Sequence, residues 1–429
     1  MRWWFRQPVT VQIFIGMVLG IVFGLICNAS KWTIGTDIKW LGDIFIRLIQ
    51  VVVIPLIFSA LTVAMASVDI RSFGRIAVKV VVFYTMTTVV AGVIGVMSAD
   101  IFRPGAGINL AAFGQLKPPE AAKPPTFVDI MLNMFPTNVI NAAATANILQ
   151  VVIFGIIFGL VMGSMGKKAQ PVKDLLDSLF QIMVKMVYVI MAYSPYAIFA
   201  LMSWLTASTG TATLTALALY VVTCIVALLF QTFVVVSIFV ALIARVNPIQ
   251  FYKRSVDYMM VAFSTRSSAA SLPVSMQVAE QKLGIRPEIV GFSLPLGATF
   301  NQDGTVLWQP IAAMFIAQLY GIPMGTEQQI NLVLLAILIN FGGTVIPSGG
   351  LVLLAMVLQG VGLPIEGIAI IAGIDFIPDM FRTTLNVIDD LSGAIMVAGT
   401  EKGMLRKDVF YGKRELTLDE LTFKGLQEA

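Results

Sequence analysis

With 429 residues, 58% of them hydrophobic and only 12% charged, the chain is far from the roughly one-quarter charged composition of a soluble protein. Its net charge of +4 is too small and too dispersed to argue for nucleic acid. With no histidine and two isolated cysteines, Cys27 and Cys224, it lacks the commonest proton relay and any clustered thiol site. A mean hydropathy of +0.88 and runs such as Val9–Cys27, Val80–Met97 and Leu214–Ala244, near or beyond the roughly 20 residues that cross a bilayer, indicate a polytopic membrane protein.

Six apolar spans are predicted first, at about 9–28, 41–66, 75–102, 126–166, 171–205 and 213–245. The first has no small-residue cleavage site and reads as a retained helix rather than a signal peptide. Phe102–Phe127 is rich in Pro, Gly and Ala and reads as an exposed, flexible loop. The fourth span is too long for one pass and carries Asn138, Asn141 and Asn147, so it is expected to break. Positive charge gathers at Arg2 and Arg6, at Arg71, Arg75 and Lys79, at Lys167, Lys168 and Lys173, at Arg245, Lys253 and Arg254, and at Lys402, Arg406 and Lys407. The positive-inside rule then places both termini in the cytoplasm, with Lys31, Lys39 and the loop from Arg103 to Lys123 running against it.

The second half is patterned differently. Tyr252–Gly284 is apolar but split by Ser264-Thr265-Arg266-Ser267-Ser268, and Ile330–Leu363 is split by Gly342 to Gly350. Each half is too short to span, which suggests two re-entrant helical hairpins whose tips line a cavity; two kinked ordinary helices are the plainer alternative. Each is followed by a longer polar-bearing segment, Ile289–Leu319 and then Gly367–Ala398, an arrangement that suggests an internal repeat.

In the first of these segments, Asn301-Gln302-Asp303-Gly304-Thr305 favours an unwound helix. Freed carbonyls, with carboxylate and amide oxygens, suit a hard cation such as sodium; a surface turn is the alternative. In the last segment, Asp375, Asp379, Arg382, Asn386 and Asp390 are spaced four, three, four and four residues apart and fall on one helix face. Such a stripe in a membrane helix marks a bundle interior or a solute path. Arg382 can fork onto a substrate carboxylate while Asp379 takes an ammonium, or the two can pair with each other. Arg266 is the other arginine in apolar surroundings, and Ser267 and Ser268 beside it can present hydroxyl and N–H groups to an anion. Tyr84, Thr87 and Thr88 in the third span are weaker signals, since membrane threonines commonly bond to their own helix.

Four segments, STRSSAASLP (264–273), LPLGATFNQDGT (294–305), VIPSGGLVLLAMVL (345–358) and GIDFIPDMFRTTLNVIDD (373–390), resemble the glutamate transporter family, carriers of dicarboxylates and amino acids driven by sodium or protons. The resemblance runs over nearly the whole chain. It implies an all-α integral membrane protein of eight transmembrane helices and two re-entrant hairpins, assembled as a homotrimer and working as an elevator. On that pattern residues 1–74 and 126–212 form the scaffold, and 75–125, 213–247 and 248–401 belong to the moving transport part. Residues 402–429 form a cytoplasmic tail. It implies substrate contacts at Arg266, Ser267, Ser268, Thr305, Pro347, Gly350, Asp379, Arg382, Thr383 and Asn386. It implies sodium ligands among Tyr84, Thr87, Thr88, Gly297, Thr299, Asn301, Asp303, Asn386 and Asp390, with the second hairpin as gate.

Retention of both Arg382 and Asp379 favours an acidic amino acid, imported with sodium as coupling ion and no organic cofactor. The expected partners are a small anionic or zwitterionic solute and membrane lipid, in a plasma (inner) membrane setting. A proton-coupled dicarboxylate or glutamate carrier and, in a different class, an anion channel or binding protein are the competing readings. Gln302, Ala269, Ser348, Pro378 and Asp389 depart from the family pattern; Pro378 is expected to kink the stripe helix, and Asp375 has no assigned role.

Overall fold

Apolar runs fold as helices because a backbone with no water around it must satisfy its polar groups within its own segment. The computed structural model describes residues 7, 9–67, 70–106, 132, 135–145, 148–340, 349–372 and 374–414. Among these, regular structure is helical apart from one antiparallel bridge between Ile285 and Leu405.

The first half contributes α1 (Val9–Ser30), α2 (Lys39–Ser67), α3 (Ile70–Phe102), α4 (Ile148–Met165), α5 (Gln170–Thr209) and α6 (Ala212–Phe230). The last of these runs on through π-helical turns at Gln231–Val235 and Val240–Ala244. Among the described residues, three stretches are long and apolar enough to cross a membrane: Val11–Ser30, Gly74–Phe102 and Leu214–Ala244. Helices α1 and α2 both pack along α5, and α4 packs on α2. The first contact is close because Gly16, Gly20 and Gly24 form a stripe against the backbone of α5 at Pro195, Phe199 and Ser203. On α3 the side chains Val82, Val89, Val93 and Met97 are exposed along one face, as a helix against lipid requires. The predicted break in the fourth span is present. Asn138 caps a separate short helix, Val139–Ala144, by accepting from Ile140 N at 2.9 Å and Asn141 N at 3.1 Å. Most of the predicted Phe102–Phe127 loop lies outside the described residues.

The second half contributes α7 (Pro248–Thr265), α8 (Ser268–Gln281), α9 (Pro287–Phe300), α10 (Asp303–Tyr320), α11 (Thr326–Asn340), α12 (Gly349–Gly360) and α13 (Phe376–Thr400). Helices α7 and α8 pack on each other, as do α11 and α12, giving the two predicted helix pairs. Arg266, at φ 52°, makes the turn of the first pair. Residues 341–348 of the second tip, including the predicted site residue Pro347, lie outside the described residues. Helix α13 is buried along nearly its whole length and touches α3, α6, α7, α8, α9 and α10. The stripe therefore faces a protein interior.

Two expectations need correcting. Pro378 does not kink α13, because it falls in the first turn, where no intrahelical N–H is required. Its ring is also incompatible with a helical carbonyl four residues earlier, so the helix starts at Phe376. The segment before it forms separate short turns at Ile365–Gly367 and Ile368–Ala372. Asp375 accordingly precedes α13 rather than lying inside it, though its carbonyl still accepts Asp379 N at 2.9 Å.

Beyond α13 the chain turns back onto the base of the first hairpin. Arg286 N donates to Met404 O at 3.1 Å and Arg406 N to Gly284 O at 2.9 Å, flanking the Ile285–Leu405 bridge. Glu401 pairs with Arg75 at 2.5 Å and Lys79 at 2.8 Å, tying the same end to α3.

Candidate functional site

The N-terminal end of α13 carries a closed set of charges. Arg382 Nη2 donates to Asp379 Oδ1 at 2.5 Å, and its two amino groups reach the two oxygens of Asp375 at 3.2 and 3.4 Å. Arg266, brought in by the first hairpin turn, reaches Asp379 Oδ2 at 3.5 Å. Two guanidiniums thus face two carboxylates, all buried. Compensation in this form is what makes buried charge tolerable. Trp308 of α10 lies beneath, with Arg382 Cζ over its ring 4.2 Å from the centroid, and its indole N–H donates to Tyr220 of α6 at 2.6 Å. On the other side a Cβ added at Gly350 would fall 2.8 Å from the Arg382 guanidinium, so only glycine lets α12 approach this close.

Ser267 and Ser268 are buried beside this group. Ser267 Oγ caps α8 by accepting from Ala270 N at 3.2 Å, so the hydroxyl expected to face an anion is engaged in holding the helix start. Thr383 is buried next to Arg382.

Further along, α13 meets the unwound junction between α9 and α10. Asn301 and Gln302 are non-helical there, as their sequence predicts. Asn386 Oδ1 accepts from Gly304 N at 2.7 Å, and its amide donates to Gln302 Oε1 at 3.0 Å. Thr305 Oγ1 donates to the same Gln302 oxygen at 3.3 Å. Gln302 therefore occupies a defined place between Asn386 and Thr305, using the donor and acceptor capacity that distinguishes an amide from a thioether.

The cation-ligand candidates come together just beyond. Asn301 Nδ2 donates to Asp390 Oδ1 at 3.2 Å. Tyr84 OH donates to Ser293 O at 3.0 Å and Asp390 O at 3.2 Å. A Cβ at Gly297 would lie 2.5 Å from Asp390 Oδ1 and 2.7 Å from the Tyr84 hydroxyl, so the close approach of α9 depends on that glycine. Thr88 Oγ1 contacts Asp303 Oδ1 while also donating to Tyr84 O at 2.7 Å, and Thr87 donates to Tyr84 O at 3.0 Å. Both threonines bond to their own helix as expected, and Thr88 reaches a carboxylate as well. Asp303 Oδ2 and Asn301 Oδ1 are buried acceptors with no hydrogen-bond partner among the described residues. Oxygen donors of this kind fit a hard cation. The Thr299 side chain lies outside the described residues.

Asp375, on the stripe but without an assigned role, is a direct partner of Arg382, two turns away along the chain. The geometry also adds residues that the motifs did not flag. Trp308, Tyr220 and Ser293 come from elements whose approach no local spacing reveals.

The profile of the sodium:dicarboxylate symporter family matches residues 9–400. The chain is 35% identical over 397 residues to a proton/sodium-glutamate symport protein of Bacillus caldotenax, covering 91% of this chain and 94% of that one. It is 33% identical over 419 residues to the proton/glutamate-aspartate symporter of Escherichia coli K12, with 94% and 95% covered. It is 30% identical over 459 residues to human excitatory amino acid transporter 2, with 92% and 79% covered.

Proposed function

Because the chain belongs to the sodium:dicarboxylate symporter family, whose members are carriers rather than enzymes, we propose that it imports an acidic amino acid, aspartate or glutamate, together with sodium. The observation that carries this reading is the buried contact between Arg382 and Asp379 at the turn of the first hairpin and beneath Gly350. A substrate side-chain carboxylate takes the Arg382 guanidinium as a fork, and its ammonium takes Asp379. Asp375 and Arg266 keep the group neutral throughout. Thr305, Thr383, Asn386, Ser267 and Ser268 surround the rest of the solute, and the second hairpin with Pro347 and Gly350 acts as its gate.

Sodium is held by oxygens of Asp303, Asp390, Asn301, Tyr84, Thr87 and Thr88, and by the backbone near Gly297 and Thr299. Its charge offsets the carboxylates there. The coupling is reciprocal, so each solute raises the affinity for the other. We further read α1, α2, α4 and α5 as the scaffold of a homotrimer and α3 with α6–α13 as the elevator-like moving part. The whole forms eight transmembrane helices and two re-entrant hairpins in the plasma membrane, with both termini in the cytoplasm.

The relatives named for proton coupling favour one competing reading, a proton-driven carrier. Uptake of labelled aspartate and glutamate into proteoliposomes under an imposed sodium or proton gradient tests both. Concentrative uptake that requires external sodium is expected. Uptake that follows a pH gradient without sodium selects the competitor, and acidic substrate binding unchanged by Arg382→Ala would remove the assigned role.

A further inference from the structure

Asp389 is not needed by the substrate grip, and it is adjacent to Asp390 without sharing its partners. Successive residues on a helix diverge by about 100°, and the two carboxylates do so here. Asp390 turns to Asn301, whereas Asp389 accepts from Ser392 Oγ at 2.5 Å and faces the carboxyl of Asp303. Asp303 and Asp389 are both fully buried. Each leaves its Oδ2 without a hydrogen-bond partner among the described residues, and Asn301 Oδ1 nearby is in the same condition.

No lysine or arginine forms an ion pair with Asp303, Asp389 or Asp390 among the described residues; the buried guanidiniums are committed to Asp375 and Asp379. Two ionised carboxylates facing each other in a low-dielectric interior repel each other and lack solvation. A cation between them, or a proton shared by them, removes both penalties.

We propose that Asp389 is a cation ligand, and that its unpartnered oxygen and that of Asp303 hold one hard cation between them. The ligands are all oxygen, with the Thr87 and Thr88 hydroxyls at the edge. The class is therefore sodium, with calcium as the divalent competitor that a second carboxylate admits, since affinity for such ions rises with ligand charge. The inference rests on reading Asp303 as a cation ligand, and it makes this site more strongly anionic than one carboxylate would.

The test is thermal unfolding of the purified full chain, titrated with sodium chloride or calcium chloride against choline chloride at constant ionic strength. Wild type is compared with Asp389→Asn, Asp303→Asn and Ser392→Ala. The expected result is a half-saturating sodium concentration raised about tenfold or more in Asp389→Asn. A smaller rise is expected in Ser392→Ala, which only loosens the ligand, and loss of this response in Asp303→Asn. Calcium stabilises wild type and fails to stabilise Asp389→Asn. Unchanged sodium and calcium responses in both Asp389→Asn and Ser392→Ala overturn the inference and leave sodium coupling standing. A wild type that responds to calcium but not sodium, with the response lost in Asp389→Asn, supports the inference and removes sodium coupling. A wild type indifferent to both cations overturns the two together.

Discussion

The two ends of the α13 stripe solve the problem of buried charge in opposite ways. At the first, Arg266 and Arg382 offset Asp375 and Asp379, and the group is neutral on its own. At the second, Asp303, Asp389 and Asp390 lie close together with only hydroxyl and amide donors, and acceptor atoms are left over. A self-neutralised cluster can stand empty and exchange its internal pairs for a zwitterion. An uncompensated cluster leaves room for a cation to complete it. On the proposed reading, one helix displays a site that substrate must compete for and a site that an ion must finish.

Removing a charge should have opposite signs at the two ends. Arg382→Ala strands Asp375 and leaves Asp379 to Arg266 alone, and the expected cost is about 3–5 kcal/mol of stability together with loss of acidic-substrate binding, read by thermal unfolding and by a ligand-binding titration. Asp390→Asn removes a charge that has no cationic partner among the described residues. In sodium-free buffer its stability should stay level or rise, while the stabilisation gained on adding sodium shrinks. An Asp390→Asn protein destabilised as much as Arg382→Ala would erase the contrast.

Gly297→Ala pushes a methyl group into Asp390 and Tyr84, and a cost of about 1–3 kcal/mol with weakened sodium response is expected. Trp308→Phe keeps a ring under Arg382 but loses the indole bond to Tyr220. About 1 kcal/mol of stability should go, with substrate affinity reduced and sodium response intact.

The smallest effect lies outside both sites, at Glu401. Hydrogen bonding from Lys79, then from Arg75, holds its carboxyl below the ordinary glutamate range. The contribution of this clip is complete above that range and is lost as pH falls through the lowered value. Glu401→Gln should therefore cost under about 1 kcal/mol at neutral pH and nothing in strong acid, measured by unfolding across pH.

Much of this was legible locally. Ser and Gly clusters in apolar runs announced the two helix pairs, the Asn301–Thr305 motif announced a break, and the spacing of α13 announced a single polar face. What was hidden depends on contacts between distant segments. Asp375 could be seen on the stripe, but its bond to Arg382 depends on where Pro378 lets the helix begin. Asp389 looked like a duplicate of Asp390 until α10 brought Asp303 against it. Trp308 was one aromatic among many apolar residues until the guanidinium of Arg382 settled on its face.

The bridge between Ile285 and Leu405 has a mechanical consequence. A flap swings from a free root, and the first hairpin does not have one: its base is stitched to the segment that continues α13, which is clipped in turn to α3 through Glu401. Torque applied to that hairpin is passed to the helix bearing both charge clusters. It should behave as part of a rigid carriage rather than as a door.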